Sequence, residues 1–138
     1  MIPIRSPYGL IQEDLWPDTW KCLVSCLMLN CTSRKQVEKI LPEFFNRWPS
    51  PADFLAAGTN EVSDLIACLG FRNRRTQRLF DMTRAYINED WKHASDLPGI
   101  GEYAARAWEM FFVGELGDEP PKDGALTLYW HWAKGIKR

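Results

Sequence analysis

"LPGIGEYAARAWEMF", residues 97–111, begins as a turn and ends as a helix. Pro98 stiffens the chain ahead of Gly99, Gly101 follows two residues later, and from Glu102 onward the residues are helix formers. A Gly-x-Gly hairpin between two short helices exposes the first backbone N–H groups of the second helix. Those groups attract phosphate by hydrogen bonding and through the helix dipole. Gly99 and Gly101 allow a phosphate to approach the backbone closely, and Leu97 and Ile100 are the residues to seat the hairpin on a core. Taken alone, the same five residues describe equally well a glycine turn between packed helices.

Outward from the hairpin the periodicity is helical throughout. Upstream, "DTWKCLVSCLMLN" places Trp20, Leu23, Val24 and Leu27 on one helix face, with Asp18 as N-cap. Ser33 and Gln36 have capping-box spacing for a second helix faced by Val37, Ile40, Leu41, Phe44, Phe45 and Trp48, with a bend expected at Pro42. Ser50-Pro51 starts a short helix ending near Gly58, and Thr59 to Leu69 forms the next, stopped by Gly70. "FRNRRTQRLFDMTRAYINED" is a long helix whose first turns carry Arg72, Arg74, Arg75 and Arg78, by default a solvated face. A helix over about 102–113 follows the hairpin, then the polar loop "GELGDEPPKDG" and the aromatic helix "ALTLYWHWAKG". No period-two strand appears. The expectation is an all-α fold of about seven to nine short helices, one domain over residues 1–138.

A chain of 138 residues with 46% hydrophobic content, 7 Trp and 7 Phe can hold a sizeable core. Its net charge of −1 gives no global attraction for a polyanion, so a nucleic-acid partner must be held locally, by a basic patch or by backbone dipoles. No apolar run reaches the roughly 18 residues of a membrane span, and Met1 is followed by Ile-Pro-Ile-Arg rather than a signal sequence. Cys22, Cys26, Cys31 and Cys68 form no Cys-x-x-Cys pair, so they are read as buried free thiols rather than a metal or cluster site, with no cofactor expected. That favours an intracellular setting: the nucleus in a eukaryote, otherwise the cytoplasm with the chromosome. His93 and His131 are read as structural, and Lys122 and Lys134 as surface lysines.

"LPGIGEYAA" resembles the hairpin of the helix-hairpin-helix DNA glycosylases, the endonuclease III superfamily, in which the hairpin is followed by a catalytic aspartate in a loop ahead of another helix. Asp123 stands at that place, twenty residues beyond Tyr103, with Asp118 as its rival. "SPYGLIQEDLWPDTWKCLVSCLMLNCTS" and "DWKHASDLPGIGEY" further resemble the catalytic domains of the methyl-CpG-binding-domain mismatch glycosylases, which remove thymine or uracil opposite guanine. The resemblance covers essentially the whole chain. It implies two helical subdomains flanking an active-site cleft, and the cysteine-ligated iron–sulfur loop of endonuclease III is missing.

The roles follow from that resemblance. A glycosylase flips the nucleotide out of the duplex and breaks the sugar–base bond through an oxocarbenium-like sugar, which a carboxylate stabilises while it orients or deprotonates the attacking water. Asp123 takes this part. Tyr103 stands where lyase members of the superfamily have a Schiff-base lysine; a phenol cannot form an imine, so hydrolysis alone is expected, with Tyr103 against the flipped pyrimidine. Gln12 is implied in recognition of the pyrimidine edge, since an amide both donates and accepts; from its neighbours alone it would be a surface residue. Leu29, Asn30 and Cys31 belong to the substrate-binding stretch, and Phe71 replaces a leucine wedge, its other reading being a core phenylalanine. Pro98, Gly99 and Gly101, with Arg72 and Arg75, are assigned to DNA phosphates. Cys31 stands in place of an arginine that meets the opposing guanine and Ala125 in place of a lysine, departures that bear on the guanine preference. The expected protein is a monomeric, monofunctional glycosylase acting on a mismatched or damaged pyrimidine in duplex DNA, in base excision repair. The alternative is a helix-hairpin-helix DNA-binding module that lacks catalysis and recognises distorted duplexes.

Overall fold

Asp18 opens the central helix of the molecule: its carboxylate accepts from the Lys21 N–H at 3.0 Å, and its carbonyl accepts the first helical bond from Cys22. The structure is a computed structural model and describes residues 6–15, 17–29, 32–122 and 124–136. The helices are α1 (Ile11–Leu15), α2 (Thr19–Leu29), α3 (Arg34–Arg47), α4 (Pro51–Leu55), α5 (Thr59–Leu65), α6 (Arg72–Asn88), α7 (Glu102–Trp108) and α8 (Gly124–Ile136), with 3-10 turns at Ala67–Leu69 and Ala94–Asp96 and a π-turn at Glu109–Val113. The described residues contain no strand, as the periodicity predicts, and no helix among them is long and apolar enough to cross a membrane.

Local signals placed most of these boundaries. Ser33 accepts from the Gln36 N–H, and Ser50 accepts from the Asp53 N–H with Pro51 in the first helical position. Helix α3 runs on through Pro42 to Arg47. One expectation is corrected. The helix expected over Thr59–Leu69 divides at Ile66, where the last turn tightens to 3-10 geometry. The short helix α1 was not foreseen. One turn of helix is too short to show a period, and its burial comes from packing against α2.

Helix α2 packs against α1, α3, α6 and α7, and its residues from Cys22 to Met28 are buried almost without interruption. On one side an aromatic core gathers Trp20, Phe44, Trp48, Phe54 and Phe80, with Phe54 stacked on Phe80 at 4.4 Å between centroids. The Trp20 indole N–H donates to the Thr83 hydroxyl at 3.0 Å, both groups being buried. Thr83→Val keeps the side-chain shape and leaves that N–H without its acceptor, so a loss of about 1.5 kcal/mol in urea denaturation is expected. A loss below a few tenths would mean that the indole finds another partner.

On the other side Tyr86, Trp91, Trp108 and His93 form a second aromatic strip beneath the hairpin. His93 is structural, as expected: its Nδ1 accepts from the Ser95 N–H and it caps the 3-10 turn Ala94–Asp96. Asp96 completes the cap, and the N–H groups of His93 and Lys92 hold its carboxyl below the usual carboxylate range. Cys22 and Cys26 are buried free thiols; a hydrogen bond with Cys26, then burial, pushes the Cys22 thiol well up. Cys68, expected to be buried, is exposed at the end of the divided helix.

Candidate active site

Three stretches assigned to the site meet around the C-terminal half of α2. The first is the hairpin. Leu97 and Ile100 are buried and hold it on the core, while Pro98, Gly99 and Gly101 face outward. Gly99 has φ +81, and a Cβ there would lie 3.7 Å from Leu27 and 3.8 Å from the stem of Arg78. Arg78 of the basic run thus flanks the hairpin, a neighbour no local pattern announces. Gly101 differs: its φ of −91 is open to any residue, and a Cβ there meets nothing within 4 Å. A side chain at position 101 therefore tests what approaches from outside.

The second stretch is α1. Gln12 is only 2% exposed, not the surface residue its neighbours suggest, and its Nε2 donates to the Tyr103 hydroxyl at 2.7 Å. The same nitrogen lies 3.6 Å from the Cys26 sulfur on α2. Residues 91 positions apart are thus in contact, an amide and a half-buried phenol side by side beneath the hairpin helix. Glu13, next in α1, is also buried; its carboxylate accepts from the Leu10 N–H at 2.6 Å and from the Ser6 hydroxyl at 2.8 Å, folding the N-terminal strap onto α1. Tyr129 on α8 is near enough to sense this charge: burial first, then the Glu13 carboxylate, push its phenol up to about 12.

The third stretch joins the C-terminus of α2 to the start of α6. Arg75 was expected to face DNA phosphates, and this is corrected: it is 6% exposed and its guanidinium points inward. Nε donates to the Gly70 carbonyl at 3.0 Å, Nη1 to the carbonyls of Leu27 at 3.1 Å and Met28 at 2.6 Å, and Nη2 to the Thr32 hydroxyl. The last carbonyls of α2 lack intrahelical partners, and a buried cation satisfies them. Arg75 thereby ties together the two segments expected to reach the space left by a flipped base, one after α2 and one before α6. Thr32 adds a bond to the Leu69 carbonyl at 3.2 Å.

Phe71 follows Gly70 at the start of α6. It is 69% exposed, which removes the core reading, and it holds a left-handed backbone, φ 49 and ψ 40. Among the described residues it is the one non-glycine with positive φ. Arg72, beside it, is exposed and lies 3.8 Å from the Asp64 carboxylate. Arg74 and Arg78 face solvent. Leu29 is partly buried at the end of α2. Asn30, Cys31 and Asp123 lie outside the described residues. Of the other carboxylates and amines weighed above, Asp118 and Lys122 are exposed, and Lys134 sits over the Trp130 ring at 5.3 Å.

Among the described residues no group of His, Cys, Asp and Glu is arranged to hold a metal ion. The chemistry on display is an amide–phenol pair, an exposed strained aromatic, and a glycine hairpin flanked by arginine.

Comparison with known proteins places the fold. The chain is 34% identical over 133 residues to a methyl-CpG-binding domain protein 4-like protein of Arabidopsis thaliana, covering 96% of this chain and 30% of that protein. It is 35% identical over 127 residues to a thymine/uracil-DNA glycosylase of Pyrobaculum aerophilum, covering 87% of this chain and 54% of the relative. The chain thus spans from about a third to about a half of the length of these two relatives. Among solved structures, a thermostable thymine-DNA glycosylase superposes with a TM-score of 0.67 at 26% identity, over 72% of this chain and 49% of that one. Residues 24–137 match the family described as HhH-GPD superfamily base excision DNA repair protein, and so the chain, hairpin and all, belongs to that superfamily.

Proposed function

We propose that the protein is a monofunctional DNA glycosylase that flips a thymine or uracil, mispaired with guanine, out of duplex DNA and hydrolyses its bond to the sugar. The observation that carries this reading is the contact between Gln12 and Tyr103. An amide can give donor and acceptor together to the edge of a pyrimidine once a flipped base displaces its bond to the phenol, and the phenol beside it supplies a flat, polar-tipped wall. Tyr103 occupies the place from which a lysine would attack the sugar, and phenol forms no imine, so water is the nucleophile. Asp123 orients that water and offsets the positive charge that develops on the sugar. The pyrimidine class is supported by the names of the relatives, and the hairpin supplies phosphate contacts that a chain of net charge −1 cannot supply globally.

The test uses duplexes that each carry a single altered base, incubated with the protein and then treated with alkali. Strand breaks that appear only after alkali, on G·T and G·U duplexes, are the expected result. Borohydride present during turnover reduces an imine and fixes enzyme to DNA; no adduct is expected from the unaltered protein, and weak trapping from Tyr103→Lys. A strong adduct with the unaltered protein would overturn the monofunctional assignment and direct attention to Lys122. Binding to a mismatched duplex with no base release on any substrate would identify a recognition module instead.

Gly101→Val tests the hairpin. Because a side chain there meets open space in the free protein, the fold should be kept while the phosphate is displaced from the hairpin amides. Affinity for every duplex, matched or mismatched, is expected to fall about tenfold, since a phosphate contact carries no sequence information. Unchanged affinity in a fluorescence anisotropy titration would remove the phosphate from the hairpin.

A further inference from the structure

The loop between the π-turn and α8, residues 114–122, has no regular backbone pairing, yet several side chains grip it from the two helices on either side. Arg106 lies on α7, three residues after Tyr103, and is half-buried. Its Nη2 donates to the carbonyl of Leu116 at 2.9 Å and to that of Glu119 at 2.7 Å. From α8 the Trp130 indole N–H donates to the same Leu116 carbonyl at 2.8 Å, and the Thr127 hydroxyl donates to the Pro121 carbonyl. Leu116 and Pro121 are buried and anchor the loop to the core. Between the two carbonyls the chain turns closely around the guanidinium: Gly117 has φ +81, and a Cβ there would come within 3.4 Å of Arg106 Nη2. The Leu116 and Glu119 carbonyls thus converge on one nitrogen, an arrangement that lysine, with a shorter reach and a less directed ammonium, reproduces only in part.

We propose that Arg106 is a positioning residue for catalysis: it fastens loop 114–122, which in sequence leads into Asp123, to the helix that carries Tyr103, and so limits how far the chain entering Asp123 moves relative to that helix. The inference rests on the glycosylase reading above. A reaction that needs a carboxylate at one atom of the sugar is sensitive to displacements of about 1 Å, and a polar surface loop without such a clamp samples more than that.

The experiment compares the unaltered protein with Arg106→Met, which keeps the stem and removes the donors, and Arg106→Lys, which keeps the charge. It measures single-turnover excision from a G·U duplex, affinity for a duplex holding a non-cleavable abasic analogue, thermal midpoint, and amide hydrogen exchange. Arg106→Met is expected to slow excision about tenfold with affinity unchanged within about twofold, and Arg106→Lys to recover part of the rate. Exchange should quicken at the amides of residues 115–119 and stay unchanged in α2. In an Asp123→Asn background Arg106→Met should remove nothing further from the residual rate, because the clamp acts through that carboxylate. An unaltered excision rate, or unchanged exchange in the loop, overturns the proposal. So does a rate that falls only in step with affinity and thermal midpoint, which would make Arg106 merely structural. Failure of the glycosylase reading is seen separately, as absence of base release by the unaltered protein, and the exchange measurement still decides whether the clamp exists.

Discussion

Asp123→Asn is expected to lower base release about a thousandfold while leaving affinity for a mismatched duplex nearly intact. The two side chains have the same shape, so under the proposed mechanism docking, flipping and the seating of the base against Gln12 and Tyr103 should be preserved. What is lost is the negative charge, and it matters only when the departing base leaves the sugar cationic; an interaction made in the transition state alone appears in the rate and not in binding. Asn is also a poor base for the attacking water. Single-turnover excision and anisotropy titration on the same G·U duplex check both halves of the statement. Turnover retained within tenfold would move the role elsewhere, first to Asp118, which is exposed on the same loop. A parallel fall in affinity would mean that Asp123 shapes the site rather than serving the reaction.

Phe71→Gly should make the protein more stable and a worse enzyme. The left-handed backbone at φ 49 costs a non-glycine residue about 1–2 kcal/mol, and glycine adopts it freely. Glycine also enlarges the unfolded ensemble by about 0.5–1 kcal/mol, so the net gain lies between about 0 and about 1.5 kcal/mol, up to several degrees in Tm. Little packing is given up, because the ring is 69% exposed. Strain kept at an exposed aromatic calls for a functional explanation, and the one proposed is an intercalating wedge, a ring that would fill the stack vacated by the flipped base. Stacking of that kind is worth about 2 kcal/mol, so excision should fall about thirtyfold. Phe71→Leu keeps an apolar wedge and should retain most of the rate. A Phe71→Gly protein that is less stable and fully active would show that the ring is held by the fold and has no part in opening the duplex.

The hairpin illustrates how far local chemistry carries. Leu97 and Ile100 were legible as the buried residues and Pro98, Gly99 and Gly101 as the outward ones, because the two large apolar side chains are the ones in the turn that gain from leaving water. Ser33, Ser50-Pro51 and Asp18 marked helix starts for the same reason: a cap acts on the backbone within one turn. Phe71 lay between two readings, since an aromatic after a glycine is compatible with core and surface alike. Its exposure emerged only with the packing of α6 against α2, α4 and α5.

By itself, then, the sequence determined the helical elements, their caps, the hairpin and the family resemblance, all of which rest on residues a few positions apart or on a short motif. Tertiary structure alone decided the direction of each polar side chain. In a run of four arginines, adjacent residues point about 100° apart around the helix. Which of them turns inward depends on where the unsatisfied carbonyls of α2 arrive, and Arg75 meets that of Met28 from 47 residues away. Gln12 reads as a surface glutamine until Tyr103, 91 residues on, is brought to 2.7 Å. Arg106 is an ordinary helix arginine until the carbonyls of a later loop converge on it. Burial of a polar group is tolerated only where a partner is supplied, and the partners here come from distant segments, so candidate residues could be listed from the sequence but their geometry could not.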